Sequence, residues 1–284
     1  MKIYIPTFRR VDTQITFDNL PDKYKEKVIM VVQEQEKDQY KYDCEYLIVD
    51  NNIGIAKTRK HIMLHAGKSK FCVYDDDIVF YRRNAKYICE HEDCVRPIKR
   101  NNDMSASKRI MTENDFDEMY DIFSQWMDND NVIQIGHRLS FLPPHGCFGR
   151  DFRDVRGASM INGLEVSKFI DEIDWDYVSV GEDSMMTLEF CLRGYKIRRS
   201  DIFTAYFKYF QEGGCSVYRD AKLHNKEHEK LMKKYSNFIF YKKNRKTKSE
   251  IFDRDHIGQI YEQGYKWKEA YDSYYNTSLK DFIK

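Results

Sequence analysis

Four short apolar runs near the start of the chain constrain its fold more than any other feature. They occupy residues 2–5, 27–33, 46–49 and 70–74, are rich in β-branched residues, and are each followed by polar residues. Continuous runs of this kind are typical of strands that are covered on both faces, as in a parallel sheet. The sequence therefore predicts several neighbouring parallel strands with polar loops at their carboxyl ends.

Helical patterns alternate with these strands. Apolar residues from Ile55 to Met63 recur with helical spacing, and Gly67 marks the end of that helix. A second amphipathic helix is predicted at 116–127, followed by a strand at 132–136. Gly181 opens a third helix, before a strand at 195–197. This alternation favours an α/β sheet whose ligands gather beyond the carboxyl ends of the strands.

The second half of the chain divides into a loop and a C-terminal extension. Residues 137–160 have no clear period and are predicted to form a long functional loop. From residue 221 the composition becomes Lys-rich, and the last thirty or so residues are predicted to form a helical cap. We therefore expect a catalytic domain at 1–220 and a helical C-terminal extension at 221–284 packed on it.

Composition limits the classes of protein that fit. The net charge is +1, with 33% charged and 42% apolar residues, which excludes a globally basic nucleic-acid coat and a disordered chain. No apolar run approaches the roughly 18 residues of a membrane span, and the N-terminus has no signal-peptide pattern. A soluble cytoplasmic protein without membrane association is expected.

Seven cysteines are scattered without a repeating spacing, as expected for reduced thiols in a reducing compartment. Cys89, His91 and Cys94 could serve as zinc ligands. A structural zinc site needs four ligands, however, and no second pair follows at a matching spacing. A solvated loop is the favoured interpretation of this segment.

Three consecutive carboxylates, Asp75, Asp76 and Asp77, follow the fourth apolar run. Adjacent like charges at the end of a buried strand repel one another unless a cation compensates them. Strand alternation would direct Asp75 and Asp77 to one side and Asp76 to the other. Hard oxygen ligands favour Mg²⁺ or Mn²⁺, which commonly bridge carboxylates to substrate phosphates. An exposed acidic turn is the alternative.

The order of these pieces resembles that of a GT-A glycosyltransferase over residues 1 to about 220. The matching motifs are Pro-Thr-x-x-Arg at the start, Gln33-Glu34 after the second strand, the Gly-Ile-Ala-x-x-Arg helix from Gly54, Asp-Asp-Asp-Ile-x-Phe, Gly181-Glu182-Asp183 and Gly213-Gly214. In detail they are most similar to phage DNA-base glycosyltransferases, the group that includes the TET-associated glycosyltransferases. The resemblance implies a mixed, mainly parallel sheet flanked by helices.

The same resemblance implies a site for a UDP-sugar. Its contacts would come from the loops after the first three strands and from the acidic triplet. They are Pro6, Thr7, Arg9, Gln33, Glu34, Gly54, Arg59, Asp75 and Asp76. An Arg can form paired hydrogen bonds to a diphosphate. Arg59 could equally pair with the aspartates in a structural role.

Catalysis and metal binding are also implied by the resemblance. Asp183 is the first choice and Glu182 the second for the base that takes a proton from the acceptor hydroxyl. Both could instead be ordinary acidic residues of a first helical turn. Mn²⁺ or Mg²⁺ would bind Asp75 and Asp77, with His224 as the candidate third ligand. The stereochemical outcome, retaining or inverting, stays open.

The acceptor is predicted from local positive charge. Two segments combine basic residues, and the first also has interleaved aromatic residues, as a phosphate backbone and an extruded base require. The predicted DNA-binding residues are Arg138, Arg150, Arg153, Arg156, Lys242, Lys243 and Arg245. A solvated basic surface is the alternative.

These observations predict transfer of a hexose or pentose from a UDP-sugar to a hydroxylated base, such as hydroxymethylcytosine, in phage double-stranded DNA. If the chain is phage-encoded, the host cytoplasm is its expected location. A GT-A enzyme acting on a saccharide or small-molecule acceptor is one alternative. A nucleotidyltransferase is disfavoured because no Gly-rich phosphate loop follows the first strand. A non-catalytic DNA-binding module is the alternative of another class.

Overall fold

The structure is a computed structural model that describes residues 1–83, 108–140, 152–154, 159–207, 213–247 and 260–282. The side chains of residues 215, 216, 243–247, 260–262 and 277–282 lie outside this description. Cys89, His91 and Cys94 also lie outside it, so the zinc alternative stays untested. No helix in the described ranges is long and apolar enough to cross a membrane.

Strands and helices alternate through most of the described chain. The strands are β1 (Lys2–Pro6), β2 (Val28–Gln33), β3 (Glu45–Val49), β4 (Lys70–Val73), β5 (Val79–Arg83), β6 (Lys108–Ile110), β7 (Val132–Leu139), β8 (Phe152–Arg153), β9 (Met160–Asn162), β10 (Lys196–Tyr206), β11 (Ile239–Thr247) and β12 (Ile260–Tyr265). The helices are α1 (Ile15–Asn19), α2 (Asp22–Lys25), α3 (Gly54–Ala66), α4 (Glu113–Asn129), α5 (Gly163–Val166), α6 (Glu182–Leu192), α7 (Ala221–Lys234) and α8 (Trp267–Phe282).

A mixed sheet of ten of the described strands forms the centre of the fold. Its strand order is β3-β2-β1-β4-β9-β7-β10-β5-β6, and β8 pairs with β10. The first four strands are parallel, in the order of the nucleotide-binding half of a doubly wound sheet. β9 then pairs antiparallel with β4 and β7. The predicted α/β class with a mixed sheet flanked by helices is confirmed; among the described strands, parallel pairing joins β3-β2-β1-β4 and β7 with β10.

Apolar residues cover both faces of this sheet, as the continuous strand patterns predict. Along β1, Tyr4 enters one buried cluster, with residues of α3 and α6, whereas Ile3 and Ile5 enter the other, with residues of α1, α2 and α4. The parallel strands are therefore covered by a helical layer on each side. This arrangement leaves the strand ends as the places where polar groups collect.

Two predictions about the second half were incomplete. The segment 137–160 is not wholly a loop, because β7 continues to Leu139 and β8 and the start of β9 fall within it. The C-terminal extension is not only helical, because β11 and β12 form a separate antiparallel sheet. Leu231 of α7 and Ala270 of α8 lie in the same buried cluster as α6. The domain boundary at residue 220 stays a prediction.

Candidate active site

The acidic triplet lies in a turn beyond the carboxyl end of β4. That strand ends at Val73, and Asp76 and Asp77 form the turn that leads into β5. Strand alternation therefore does not set the directions of these side chains, contrary to the prediction from sequence. Instead, Asp76 and Asp77 both pair with Arg10, whereas Asp75 is more exposed.

The loop after β1 holds this turn in place. Asp76, only 4% exposed, accepts a hydrogen bond from Thr7 Oγ1 at 2.7 Å. Gln14 Nε2 donates to Thr7 Oγ1 at 2.9 Å and to the Arg10 carbonyl at 2.8 Å. Thr16 donates its backbone N–H to the Asp76 carbonyl at 3.1 Å. Thr7 therefore orients the acidic turn through hydrogen bonds, a role that the motif alone did not indicate.

Arg10, and not Arg9, reaches the carboxylates. Arg10 Nη1 lies 3.2 Å from Asp77 Oδ2 and also pairs with Asp76. The backbone of Arg9 has a positive φ of 54°, and its N–H donates to Glu36 Oε2 at 3.1 Å. The tight turn at Arg9 directs the following guanidinium to the site, whereas the Arg9 guanidinium stacks on Phe8. Arg10 is the arginine with which the Pro-Thr-x-x-Arg motif ends, so the assignment of the site contact to Arg9 was wrong by one position.

Negative charge exceeds positive charge around Asp77. Burial raises the pKa of Asp77 to about 6, and the neighbouring charges of Asp75 and Asp76 act in the same direction. Burial also raises the pKa of Asp76, against the opposing effect of Arg10. A turn with this electrostatic imbalance is suited to a further cation.

Arg59 joins the acidic turn to α6. This guanidinium is 7% exposed; its Nε donates to Glu182 Oε1 at 3.0 Å, and its Nη2 lies 3.5 Å from Asp75 Oδ1. Burial raises the pKa of Glu182, and the charge of Arg59 opposes that shift. The structural pairing that the sequence left open for Arg59 is present. The loop after β4 and the start of α6 therefore belong to one site.

Asp183 is the more exposed of the two carboxylates at the start of α6. Glu182 is 7% exposed and bound to Arg59, whereas Asp183 is half-buried. Gly181 precedes them with a φ of +87°, which lets the chain turn sharply into the helix. The Ser184 N–H donates to Asp183 Oδ1 at 2.7 Å. This arrangement favours Asp183 over Glu182 for contact with a substrate.

The family model of TET-associated glycosyltransferases matches residues 1–136. The match covers just under half of the chain and supports a glycosyltransferase of this group. The matched region runs from β1 into β7 and contains Arg10, Arg59 and the acidic turn, while Glu182 and Asp183 lie beyond it.

Two further comparisons add little to this assignment. The glycosyltransferase is similar to a mycobacterial protein of known crystal structure, with 10% identity, a TM-score of 0.41, and coverage of 93% of this chain and 82% of that one. A TM-score this low supports no argument about fold or function. No curated protein matches the chain.

The side chain of Gln33 connects the loop after β2 with the loop before α3, and both loops are expected to contact the nucleotide. Its Oε1 accepts hydrogen bonds from the Asn52 N–H at 2.9 Å and from Gln35 Nε2 at 2.9 Å. Gln35 N–H in turn donates to Asn51 Oδ1 at 2.8 Å. Gly54, with a φ of +77°, then begins α3. The glycosyltransferase thus couples the end of β2 to the start of α3.

Glu34 and Pro6 lie at the same strand ends. Glu34 is exposed and forms an ion pair with Lys37 in the short 3-10 helix, Glu34–Gln39, that follows β2. Pro6 is the last residue of β1, opposite Val31 of β2. Both are therefore at the edge of the sheet where the donor is expected, and their contacts with it stay a prediction.

His224 is buried beside Arg219 and His228, and its role as a third metal ligand stays a prediction. Its Nδ1 accepts a hydrogen bond from Arg219 Nη2 at 2.8 Å, and burial lowers its pKa to about 3. Its ring is 3.9 Å from that of His228, centroid to centroid. Within the described ranges, no group of three or more His, Cys, Asp or Glu side chains is arranged to hold a metal ion.

Of the predicted DNA-binding residues, the structure describes the side chains of Arg138, Arg153 and Lys242. Arg138 is only 3% exposed and lies near Asp201, so it is not a surface residue. Arg153 on β8 and Lys242 on β11 are exposed. Arg150 and Arg156 lie outside the described residues, as do the side chains of Lys243 and Arg245. Sequence clustering suggested Arg138 because the pattern of β7 beyond Gly136 was not recognised as a strand.

Proposed function

We propose that this glycosyltransferase moves a sugar from a UDP-sugar to a hydroxylated base in double-stranded DNA, with Mn²⁺ or Mg²⁺ bound at the acidic turn. The family assignment supports the class of reaction. The donor, the cation and the acceptor belong to the proposal, and each has its own structural argument.

The observation that carries the proposal is the pairing of Arg59 with both Asp75 and Glu182. These pairs, at 3.5 and 3.0 Å, connect three segments that are far apart in sequence. They bring the acidic turn near the carboxylates at the start of α6, beyond the carboxyl ends of the parallel strands. Ligands of open α/β sheets bind at this edge.

The residues of the turn offer two carboxylate ligands to a divalent cation, although no group of three ligands is arranged for one in the described ranges. Their donors are hard carboxylate oxygens, and the raised pKa of Asp77 reflects unbalanced negative charge. Asp75 and Asp77 would hold the ion, which when bound neutralises charge on a donor diphosphate. Arg10 is the nearest guanidinium to the turn and can form hydrogen bonds with the same phosphates.

Asp183 is proposed to act on the acceptor. In an inverting transfer the acceptor oxygen bonds to the anomeric carbon, its proton passes to the Asp183 carboxylate, and UDP leaves with the electrons of the broken bond. The exposure of Asp183 and the pairing of Glu182 with Arg59 favour this division of roles. Glu182 then acts as a positioning residue, because it holds Arg59 against Asp75.

The choice of DNA as acceptor rests on the resemblance to DNA-base glycosyltransferases and on exposed cations such as Arg153 and Lys242. A saccharide or small-molecule acceptor is the second candidate. The same donor machinery would serve it, and it would need no basic surface. A catalytically inactive module is disfavoured, since the acidic turn and the α6 carboxylates are held together by specific ion pairs.

Mass spectrometry of DNA after incubation with a panel of UDP-sugars and Mn²⁺ tests the proposal. Duplexes with hydroxymethylcytosine should gain the mass of one sugar, whereas matched duplexes with cytosine should not. Chelation of the metal should abolish the gain. Transfer to free saccharides with no modified DNA under any donor would overturn the DNA acceptor and favour the second candidate.

A further inference from the structure

A second cluster of charged groups lies away from the acidic turn, on the strands β5, β7, β8 and β10. Among the described residues, four guanidinium groups surround a single carboxylate, Asp201. The arginines are Arg83, Arg138, Arg153 and Arg199. Asp201 is 5% exposed, and Arg83 and Arg138 are 5% and 3% exposed. The cluster is thus positively charged and largely withdrawn from water.

Arg138, at the centre of this cluster, has N–H groups without hydrogen-bond partners among the described residues. Its Nε lies 3.6 Å from Asp201 Oδ1, which is beyond hydrogen-bonding distance. In the part of the chain that the structure describes, Arg138 Nε and Nη1 and Asp201 Oδ1 have no hydrogen-bond partner. Leaving a buried charged donor without a partner costs several kcal/mol in general. A group that supplied acceptor oxygens here would relieve that cost.

Other buried arginines of the same protein are each paired with two carboxylates. Arg198, 4% exposed, donates from Nε to Asp154 at 2.8 Å and also pairs with Asp130. Arg59 likewise has two carboxylate partners. Among the described residues, Arg198 and Arg59 thus each have two carboxylate partners, whereas Arg138 has one, Asp201, at 3.6 Å.

The pairing of β8 with β10 places two positive charges of the cluster next to each other. Arg153 of β8 lies directly opposite Arg199 of β10 in an antiparallel ladder, so both side chains are on one face. Burial lowers the pKa of Arg83 and of Arg138 to about 10, although the charge of Asp201 acts in the opposite direction. Like charges in direct opposition are destabilising unless an anion lies between them.

The cluster is separate from the donor site. Arg83 is at the far end of β5 from the acidic turn, about 13 Å along a strand of this length. Its Nη2 donates to the carbonyls of Leu139 and Ser140 at 3.3 and 3.5 Å, which holds it against the end of β7. Arg153 is exposed and Arg199 partly exposed, so they mark the side of the cluster that faces solvent.

We propose that the cluster of Arg83, Arg138, Arg153 and Arg199 binds a phosphate group. A phosphate offers several acceptor oxygens and more than one negative charge, and guanidinium groups bind it through paired N–H donors. It would occupy the unpaired N–H groups of Arg138 and separate the opposed cations. The phosphate can belong to a nucleic-acid backbone or to a small free anion.

Thermal unfolding in sodium phosphate, against sodium chloride at equal ionic strength, tests this site without donor or acceptor. A ligand at 100 times its Kd should raise the Tm by roughly 5–10 °C for a chain of this size. Arg138→Met should abolish the phosphate-dependent rise, whereas Arg198→Met, a matched buried arginine, should retain it. An equal rise in wild type and Arg138→Met, or none in wild type, would overturn the proposal.

Asp201→Asn gives an independent result if Arg138→Met does not fold. Removing the one competing carboxylate should tighten phosphate binding at least several-fold by calorimetry, a gain that general destabilisation cannot produce. Unchanged or weaker binding in this variant would contradict the proposal.

Competition between free phosphate and an unmodified DNA duplex then distinguishes a phosphate of the nucleic-acid backbone from a small free anion. Displacement of the duplex by free phosphate, together with weaker duplex binding by Arg138→Met, assigns the site to the nucleic-acid backbone. Phosphate binding without competition assigns it to a small anion. Both results are independent of glycosyl transfer, so a failure here leaves the proposed function standing.

Discussion

Asp77 is the residue at which the proposed donor chemistry is most open to test. Its carboxylate is 14% exposed, lies beside Asp75 and Asp76, and has a pKa raised to about 6 by burial. Asp77→Asn keeps the shape of this side chain but removes a hard anionic ligand. We expect UDP affinity in Mn²⁺ to fall about 100-fold, or about 2.7 kcal/mol, with transfer abolished.

Isothermal calorimetry with UDP, with and without Mn²⁺, measures this effect. The exposed residue Asp18 on α1 provides a matched control, and Asp18→Asn should bind as wild type does. If Asp77→Asn binds UDP with the same metal dependence as wild type, the cation is not held by this turn.

Asp183 and Glu182 should respond differently to loss of charge. Asp183→Asn should lower turnover by roughly 100-fold or more, since general base catalysis commonly contributes that much, with little change in UDP-sugar affinity. Glu182→Gln leaves the buried Arg59 with a weaker partner and should reduce the free energy of unfolding, by up to about 3–5 kcal/mol. Steady-state kinetics and urea denaturation separate the two effects. Normal turnover in Asp183→Asn with loss in Glu182→Gln would exchange the roles.

His137 gives the fold a predictable response to acid. Its ring packs among Tyr74, Phe80 and Phe123, and its Nδ1 lies 3.1 Å from the Phe203 carbonyl, which accepts the Nδ1–H. Burial lowers its pKa from 6.5 to about 4. Between these values the unfolded chain binds a proton that the folded chain does not, so stability falls as pH falls.

His137→Phe should remove this contribution. Between pH 7 and pH 4.5 the variant should lose about 2–3 kcal/mol less unfolding free energy than wild type loses. Urea denaturation at the two pH values measures the difference. Parallel losses in both proteins would show that His137 is not buried in its neutral form.

At the scale of elements, the loop after β1 depends on a glycine far along the chain. Gly213 has a φ of +85°, and a Cβ atom there would lie 2.8 Å from the Arg9 carbonyl and 2.9 Å from that of Phe8. The Gly214 N–H donates to the Phe8 carbonyl at 2.8 Å. This contact fixes the turn that directs Arg10 to the acidic residues.

Gly213→Ala should therefore displace that turn and weaken UDP binding as well as stability. The matched variant Gly67→Ala also replaces a glycine of positive φ, at +58°, but its Cβ would meet nothing within 4 Å. We expect both to lower the Tm, and only Gly213→Ala to lower UDP affinity, by about tenfold. Equal UDP affinity in the two variants would separate the Gly213 loop from the donor site.

The elements differ in how well the sequence alone predicted them. Strands β1 to β4 and the helix α3 lie within a residue or two of their predicted positions, since each carries a strong periodic pattern bounded by polar residues or glycine. The hairpin of β11 and β12 was missed, because its lysine-rich first strand shows no apolar alternation. Phe240 there packs on Gly264, where a Cβ would come within 2.3 Å of the ring.

At the scale of the whole molecule, affinity for DNA must come from local surfaces, because the net charge is only +1. Changing Lys242, Lys243 and Arg245 to Glu should flatten the dependence of log K on log salt by nearly one unit for each phosphate that the protein no longer neutralises. It should also raise the apparent KM for DNA, while hydrolysis of UDP-sugar without acceptor stays unchanged. Fluorescence anisotropy over a salt series measures the slope.

Exposed lysines elsewhere provide the control for this experiment. A triple change of Lys27, Lys41 and Lys168 to Glu makes the same change in net charge away from β11. Its salt slope should match that of wild type. If both triple variants lose affinity equally, the effect is one of total charge and the β11 surface is not the binding site.

The sequence by itself determined the class of the fold, the order of β1, β2, β3, α3 and β4, and the placing of the acidic triplet after β4. Each of these features depends on residues that are close along the chain, such as a continuous apolar run or a glycine at the end of a helix. Such patterns can be recognised without knowing which distant segment packs against them. The similarity to the TET-associated glycosyltransferases lies in the same part of the chain, residues 1–136.

Only the tertiary structure decided which charges meet. It paired Arg10 with Asp76 and Asp77, joined Arg59 to Glu182 across 123 positions of sequence, and buried Arg138 beside Asp201. A charged side chain costs little in water and much in the interior, so its role depends on which distant strand covers it. The spacing of residues along the sequence does not show whether a side chain is buried. For this reason Arg138 was predicted to contact DNA, whereas the structure places it in a buried cluster of arginines.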